Sequence, residues 1–494
     1  MNVGSTCEAM VEDAVQLERQ GRVPEAIEAY ERLLQNWPGL PNCWYNLARL
    51  QRSTGRFDAA LASYREALER NVAEPEEVHV NCGVIYSDCL HQYEAAEREL
   101  KHALRLNPAY LPALINLANL HEDLGRRELA AELYERLLVL APDNAQVLAR
   151  YAGLKTVTNL DDPMIGRLRS ARAKPGMAPG ESAAVEFALG RALDACEAYD
   201  AAFEAYRAGN RHSRESAGPA FRDYDLKSQE QFVDRLIAAF PHGTRVDAPR
   251  MISPRTSPPR PIFICGMFRS GSTLTEQLLA GHPQVMSGGE LNFLPRAVQL
   301  HLSPFPESIA SVSSVRLESL AAEYLDMLHD LFPKAAHVTD KRPDNFHYIG
   351  LIKMLFPDSK IIHTTRDALD NCLSIYFLHL DQRMSYALDL MDIGHHYLEY
   401  QRLMAHWRTL FGADIFDLRY DELVKDPKAV VEQMLAFLGL NWNEGCLSVP
   451  ETARTVKTAS VWQVREPLYQ RSSGRARHYE RHLGALRDYL NHPR

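Results

Sequence analysis

The sequence predicts two kinds of structure in one chain of 494 residues: an all-α array of repeats, then an α/β domain with a parallel sheet. Small and aromatic residues recur with a period near 34 residues over positions 11–142, the length of a pair of short helices. A proline cluster between 249 and 261 marks a boundary. An apolar run, a loop of small residues and a helical pattern follow it, as in α/β domains.

Three sets of positions define the repeat: a small residue that allows close helix packing, a larger residue one turn later, and a proline that ends the second helix. They are Ala26, Ala60, Ala96 and Ala130; Tyr30, Tyr64, Leu100 and Tyr134; and Pro38, Pro108 and Pro142. One unit departs from the pattern, because His91 stands where the other units have glycine. The pattern resembles the tetratricopeptide (TPR) repeat, which stacks into a superhelix with a concave surface.

This resemblance implies that the array binds a peptide or a partner protein, or associates with a second copy to form a homodimer. A scaffold that only buttresses the rest of the chain would show the same pattern. We predict three parts: a TPR array over 1–157, a helical extension with a degenerate repeat pair and a linker over 158–250, and an α/β domain over 251–494.

Composition excludes several classes of protein. Hydrophobic content of 46% and charged content of 24% are ordinary for a globular protein, and a net charge of −9 argues against nucleic acid as the main partner. The eight cysteines show no C-x-x-C spacing, which argues against a zinc site or a disulfide scaffold. His395 and His396 lack a third ligand nearby, so no metal is expected. The N-terminus lacks the features of a signal peptide and no run predicts a membrane span, so we expect a cytoplasmic protein.

The most informative motif lies in residues 261–281. Pro261–Met267 is predicted to be a buried parallel strand, and Thr273–Ala280 has the character of a helix. A strand, a loop of small residues and a helix in this order direct free backbone N–H groups at an anion. The segment therefore predicts a binding site for a phosphate-like group.

The spacing of Gly266 and Gly271 is that of the P-loop of nucleoside-triphosphate enzymes, but the motif departs at its key position. A P-loop continues with a lysine that reaches the β- and γ-phosphates. Here Ser272 and Thr273 follow the second glycine, and the nearest cation is Arg269. The loop is therefore expected to bind an anion without triphosphate and magnesium chemistry.

Together with His282-Pro283 and Gly288-Gly289-Glu290, the run from Phe268 to Leu274 resembles the sulfotransferases that use PAPS (3′-phosphoadenosine 5′-phosphosulfate), and most closely the branch of the protein-tyrosine sulfotransferases. The resemblance covers roughly residues 255–480. It implies a P-loop-like α/β sulfotransferase domain with PAPS as co-substrate and no metal. The residues that it assigns to the 5′-phosphosulfate are Arg269, Ser270, Gly271, Ser272 and Thr273.

A second basic motif lies farther along the chain. Lys360–Thr364 is predicted to be a short strand, and a helix is predicted over Ala368–Tyr376. Arg366 and Ser374 are eight residues apart, so both can face one site near the carboxyl edge of the sheet. In the resembled family, the matching residues hold the 3′-phosphate of the nucleotide. The alternative is a local ion pair between Arg366 and Asp367, with Ser374 as an ordinary helix residue.

The resemblance also assigns nucleotide contacts farther along the chain. Tyr420 matches a tyrosine that lines the adenosine pocket, although a packed aromatic at a strand end is an equally good explanation. Either Arg471 or Arg475 is a candidate for a phosphate contact, and we favour Arg475.

The reaction itself is assigned to three residues by the same resemblance. Glu290 matches the general base that accepts the proton of the acceptor hydroxyl. Lys341 and Ser460 match groups near the bridging oxygen of the leaving nucleotide. Arg342 is the alternative to Lys341, and His282 is the alternative base. The acid that precedes the base in the family is Gly289 here.

The resemblance implies a sulfotransferase that moves a sulfuryl group from PAPS to a hydroxyl, and we favour a tyrosine of a protein or peptide as the acceptor. A glycan, lipid or small-molecule hydroxyl is the alternative acceptor. Two other classes stay open: a kinase for a nucleoside or small molecule, and a non-enzymatic TPR adaptor with a remnant of a nucleotide site.

Overall fold

The structure, a computed structural model, describes residues 3–219, 221–241, 259–447 and 473–492. The chain forms two compact units, Met1–Lys155 and Thr156–Arg494. Every described helix of the first unit belongs to the repeat array, and every described strand lies in the second unit. The predicted division into three parts is finer than this and stays a prediction.

The first unit consists of consecutive helices that pack mainly against their neighbours in the sequence. They are α1 (Val3–Arg19), α2 (Val23–Asn36), α3 (Pro41–Ser53), α4 (Phe57–Glu69), α5 (Pro75–Val84), α6 (Tyr93–Leu106), α7 (Leu111–Asp123), α8 (Arg127–Leu140) and α9 (Ala145–Leu154). The small and large positions of the repeat are buried between these helices, as the pattern requires. Burial of one stripe along each helix pair is what joins the repeats into one core.

The repeat that has His91 in place of glycine keeps the helical pairing of the array although it is longer than its neighbours. Helices α5 and α6 begin 18 residues apart, whereas α3 and α4 begin 16 apart. The longer segment includes a π-helical turn over Ile85–Cys89, which accommodates additional residues without breaking the helix. His91 then adopts a φ of 54°, close to the left-handed geometry of Gly55 at the matching turn. The turn geometry is therefore kept although the glycine is lost.

The second unit combines helices with one five-stranded sheet. Its helices are α10 (Pro163–Arg172), α11 (Pro179–Ala195), α12 (Tyr199–Ser216), α13 (Leu226–Ala239), α14 (Ser272–Leu279), α15 (Phe293–His301), α16 (Ser314–Leu331), α17 (Ile349–Leu355), α18 (Ala368–Tyr376), α19 (Leu390–Phe411), α20 (Tyr420–Lys425), α21 (Pro427–Leu438) and α22 (Glu480–Asn491). Its strands are β1 (Arg260–Gly266), β2 (Val285–Ser287), β3 (His337–Lys341), β4 (Lys360–Thr365) and β5 (Ile415–Arg419).

All the strand pairs are parallel, and the order across the sheet is β2-β3-β1-β4-β5. Strand β1 lies in the centre, with Ile264 in register with Lys341 of β3 and Gly266 in register with Thr364 of β4. The middle strands are almost entirely buried, as expected for a parallel sheet covered on both faces. The segments that follow β1, β3 and β4 therefore meet at one edge.

The helical extension packs against the helix that follows β4. Asn210 of α12 is buried and donates a hydrogen bond of 2.9 Å to the carbonyl oxygen of Tyr376, at the end of α18. One residue later, Phe377 stacks on Tyr206 with ring centroids 3.9 Å apart. Asp194 of α11 pairs with Arg475 at 2.6 Å. These contacts place α11 and α12 in the same compact unit as the sheet.

The interior of this unit should make its stability depend on pH. Burial, followed by the neighbouring His347 and His395, lowers the pKa of His396 to about 3. The pKa of an unfolded histidine is about 6.5, so the unfolded chain binds a proton first as the pH falls. This site therefore stabilises the fold fully above about pH 6.5 and loses that contribution as the pH falls towards the folded pKa.

We predict that His396→Phe makes the unfolding free energy of the second unit less dependent on pH between about 4 and 6. The slope should decrease by about 1.4 kcal/mol per pH unit, the effect of one proton, while the ring still stacks on Tyr386. Denaturant unfolding at several pH values measures this slope. His301→Phe, at an exposed position, is the control. An unchanged slope in His396→Phe would contradict the prediction.

Candidate active site

The phosphate loop lies between β1 and α14 and is held from both sides. The hydroxyl oxygens of Ser270 and Thr364, at the end of β4, are 2.7 Å apart. The amide of Asn371 in α18 donates to the carbonyl oxygen of Phe268 at 3.0 Å. Helix α14 begins directly after the loop, so its first backbone N–H groups lack partners within the helix. The strand, loop and helix thus follow in the order that the sequence predicts, and anion binding by this loop stays a prediction.

The structure brings the residues predicted for the two phosphate sites together. Nε of Arg269 donates to the Ser374 hydroxyl at 3.2 Å, so the loop and helix α18 are in direct contact. Nη1 of Arg366 is 3.5 Å from the carbonyl oxygen of Arg269. The same guanidinium lies 5.1 Å from the ring centroid of Tyr420, a cation–π distance. Two cations, a hydroxyl and an aromatic ring thus share one corner of the sheet edge.

Two acidic residues hold this corner in place, and the sequence did not single out either. Asp421 accepts hydrogen bonds from the backbone N–H of Asp367 at 3.1 Å and from the Ser473 hydroxyl at 2.5 Å. Asp370, in the first turn of α18, accepts from the backbone N–H of Ala476 at 2.7 Å. Burial raises the pKa of Asp370. The two carboxylates therefore attach the chain that returns at 473–476 to the turn that carries Arg366.

The candidate catalytic pair is an ion pair at the end of β3. The Lys341 ammonium lies 2.6 Å from Oε1 of Glu290. The lysine side chain is 1% exposed, whereas that of the glutamate is 42% exposed. The carboxylate is therefore accessible to solvent, whereas the ammonium that it pairs with is buried.

Two glycines bring Glu290 to this position. A Cβ atom on Gly288 would lie 2.2 Å from the carbonyl oxygen of Thr339, so only glycine fits against β3 here. Gly289 has a φ of 65°, in the left-handed region. Its carbonyl oxygen accepts from the backbone N–H of Lys341 at 2.9 Å. The backbone conformation of Gly288 and Gly289 thus fixes the position from which the Glu290 side chain projects.

The basic pair Lys341-Arg342 divides into two roles. Arg342 makes two hydrogen bonds of 3.1 Å to Asp344 and one of 2.7 Å to Asn292. The partner of the Lys341 ammonium is the candidate base. These contacts support Lys341 over Arg342 as the cation at the reaction centre.

The buried acid that precedes Lys341 is held by neutral partners. Asp340 accepts from the Tyr324 hydroxyl at 2.9 Å and from the Asn345 amide at 3.2 Å. Burial raises the pKa of Asp340 to about 7. This carboxyl group is thus satisfied by uncharged donors and leaves the Lys341 ammonium to Glu290.

Three other predicted residues lie away from this pair or outside the described residues. Nδ1 of His282 accepts from the backbone N–H of Gln284 at 3.2 Å, so the proton is on Nε2, which donates to the Asn441 carbonyl oxygen at 3.1 Å. One ring nitrogen of the alternative base therefore holds a local turn, and the other joins that turn to the segment at Asn441. Arg475 pairs with Asp194 and lies over the Phe377 ring, so these contacts do not support its predicted phosphate role, which stays a prediction. Ser460 lies outside the described residues.

Among residues 3–219, 221–241, 259–447 and 473–492, no group of three or more His, Cys, Asp or Glu side chains is arranged to hold a metal ion. The helices in those same ranges include none with the length and apolar character needed to span a bilayer.

The close approach at Gly288 gives a direct test of the site's geometry. We predict that Gly288→Ala destabilises the second unit by about 1–3 kcal/mol, because the methyl group overlaps the β3 backbone. Gly289→Asn should cost less, since asparagine tolerates a left-handed φ and no atom lies within 4 Å of the added Cβ. Denaturant unfolding of both variants measures the difference. Equal losses would contradict the proposed packing of Gly288 on Thr339.

Comparison with known proteins places these features in families. Residues 261–444 match the model of the sulfotransferase family. Residues 14–76 and 90–154 match models of the tetratricopeptide repeat. A sulfotransferase domain from the Synechococcus PCC 7002 olefin synthase is 23% identical, covering 46% of this chain and 91% of that domain, with a TM-score of 0.34.

Two relatives extend the comparison. An uncharacterized protein of Aquifex aeolicus is 32% identical over 410 residues, which are 80% of this chain and 52% of the relative. A protein-tyrosine sulfotransferase of Drosophila melanogaster is 26% identical over 205 residues, 38% of this chain and 39% of the relative. The chain thus spans about half the length of these relatives or less. The predicted fold class is confirmed: the chain has an N-terminal array of tetratricopeptide repeats and, over 261–444, a domain of the sulfotransferase family.

Proposed function

We propose that this protein transfers a sulfuryl group from PAPS to an acceptor hydroxyl, with Glu290 as the general base. The observation that carries the proposal is the ion pair of 2.6 Å between Lys341 and Glu290. It lies at the same sheet edge as the anion-binding loop, because β1 and β3 are parallel neighbours. Base, cation and phosphate loop therefore face one reaction space.

The residues present fit both charged ends of PAPS. The N–H groups at the start of α14, which have no partners within that helix, suit the 5′-phosphosulfate together with Arg269, Ser270, Gly271, Ser272 and Thr273. Arg366 and Ser374 suit the 3′-phosphate, since a guanidinium and a hydroxyl both donate to phosphate oxygens. The contact between Arg269 and Ser374 supports two adjacent subsites, as one nucleotide requires. Tyr420 offers its ring to the adenosine part.

In the proposed reaction, the acceptor oxygen attacks sulfur while the bond from sulfur to the phosphate oxygen of PAPS breaks. Glu290 accepts the proton of the acceptor hydroxyl, and PAP leaves with the electron pair of the broken bond. Lys341 offsets the negative charge on the leaving oxygen, and Ser460 is proposed to do the same. Positioning and charge neutralisation should dominate the rate, as in phosphoryl transfer.

We propose a tyrosine of a protein or peptide as the acceptor. The relatives named as protein-tyrosine sulfotransferases support this choice, as does the repeat array, because arrays of this type present a surface to proteins.

The donor is tested by binding. We predict that PAP binds more tightly than ADP without magnesium, and that Arg366→Ala weakens PAP binding about 10- to 100-fold, the loss expected for one charged hydrogen bond to phosphate. Isothermal titration calorimetry measures both affinities. Arg383→Ala, at an exposed arginine paired with Asp381, is the matched control. Equal affinity for PAP and ADP, or no binding of either, would overturn the proposed donor.

The base is tested by turnover. We predict that Glu290→Gln lowers the rate of PAP release from PAPS about 10²- to 10⁴-fold, because a glutamine cannot accept the proton. PAP affinity should stay within about twofold, since this side chain does not hold the nucleotide. Acceptors for the assay are a tyrosyl peptide, an oligosaccharide and a simple phenol, and preference among them tests the proposed acceptor. Glu432→Gln, at an exposed glutamate, is the control. Loss of PAP binding in Glu290→Gln would assign the residue a structural role instead.

A further inference from the structure

Helix α14 carries a buried carboxylate that contacts the Gly-Gly-Glu segment and strand β3. Glu276 is 3% exposed, although a carboxylate is costly to bury without partners. Its Oε1 accepts from the backbone N–H of Gly289 at 3.0 Å and from the Thr339 hydroxyl at 2.7 Å. Both partners adjoin the catalytic pair in sequence: Gly289 precedes Glu290, and Thr339 is two residues before Lys341.

These contacts form a closed chain of hydrogen bonds around the Gly-Gly-Glu segment. The backbone N–H of Gly288 donates to the Thr339 hydroxyl at 3.2 Å, and that hydroxyl donates to Glu276. The carboxylate also receives the next N–H, that of Gly289. On the other side, the Gly289 carbonyl oxygen accepts from the backbone N–H of Lys341. Successive N–H groups and one carbonyl oxygen before Glu290 are thereby fixed.

We propose that Glu276 is a positioning residue for the general base, carried on the helix that begins at the phosphate loop. Its helix begins at the phosphate loop and, one turn later, the side chain fixes the backbone from which Glu290 projects. The carboxylate acts through Gly289 and does not touch the reacting atoms. This inference rests on the proposed role of Glu290.

The position of the carboxylate also explains a departure from the resembled family. The family has an acid directly before the base, where this chain has Gly289. Gly289 offers its N–H to the Glu276 carboxylate, which comes from a helix 13 residues earlier in the chain. Support for the base is thus supplied across the fold instead of from the neighbouring position.

The test compares Glu276→Ala with Glu276→Gln. Alanine removes the acceptor, so the Gly289 amide should exchange with solvent at least about 10-fold faster in hydrogen–deuterium exchange of the 286–291 segment. With PAPS and a tyrosyl peptide, kcat should fall about 10- to 100-fold, because a small displacement of a base is costly. The KM for PAPS and the Kd for PAP should change less than about twofold. Glutamine keeps an acceptor oxygen and should restore exchange protection and most of kcat.

Two further variants keep the test decisive. Gln277→Ala changes the adjacent buried side chain of α14 and should alter neither exchange nor kcat. If Glu276→Ala does not fold, Thr339→Val removes only the hydroxyl that joins Gly288 to the carboxylate and should give a smaller loss of the same kind.

The proposal fails if Gly289 exchange is unchanged in Glu276→Ala, or if kcat and PAP affinity fall together. It also fails if Glu276→Gln is as impaired as Glu276→Ala. If the wild-type protein releases no PAP with any acceptor, the proposed function fails, while the exchange measurement still decides whether Glu276 holds Gly289.

Discussion

The site depends on the parallel pairing of β1 with both of its neighbours. Strand β1 is in register with β3 through Ile264 and Lys341, and with β4 through Gly266 and Thr364. Because parallel strands end at one edge, the phosphate loop, the candidate catalytic lysine and the Arg366 turn are delivered to the same place. No pair of these segments is adjacent in sequence. Weakening the pairing of β1 with β3 would therefore move the phosphate loop away from the candidate base, even with every side chain of the site unchanged. Weakening its pairing with β4 would move the loop away from the Arg366 turn.

Around this edge, several buried charged groups are matched to specific partners, which restricts how the loops can move. Lys341 is buried but ion-paired, and Glu276 is buried but receives two donors. Asp370 receives a backbone N–H from the chain that returns at 473–476. An unpaired charge in such a position is far more costly than a paired one, so each bond selects one arrangement of its loop. These buried hydrogen bonds and ion pairs therefore fix the geometry of the candidate site.

The contiguous segments of the candidate site were predictable from the sequence, whereas the hydrogen bonds between distant segments were not. The phosphate loop and the Arg366 helix are contiguous segments, so local pattern places them and the structure agrees within a residue or two. The assignment of Glu290 and Lys341 came from a resemblance. Glu276 left no sequence signal, because its partners are a backbone N–H and a hydroxyl 63 residues away. Hydrogen bonds to distant backbone groups impose no residue pattern that a single sequence can show.

The contacts of α12 show that hydrogen bonds between distant segments also join the helical extension to the sheet domain. The last carbonyl groups of a helix lack partners within it, and at the end of α18 one of them belongs to Tyr376. Asn210 of α12 supplies the missing donor to the carbonyl oxygen of Tyr376. Tyr376 lies two residues beyond Ser374 in α18. At the next residue, Phe377 stacks on Tyr206, which also belongs to α12. The end of the helix that carries Ser374 is thus completed by residues far outside the segment of family resemblance. The sequence boundary drawn at the proline cluster marks where the pattern changes, and the physical support of the corner that holds Arg366 and Ser374 begins before it.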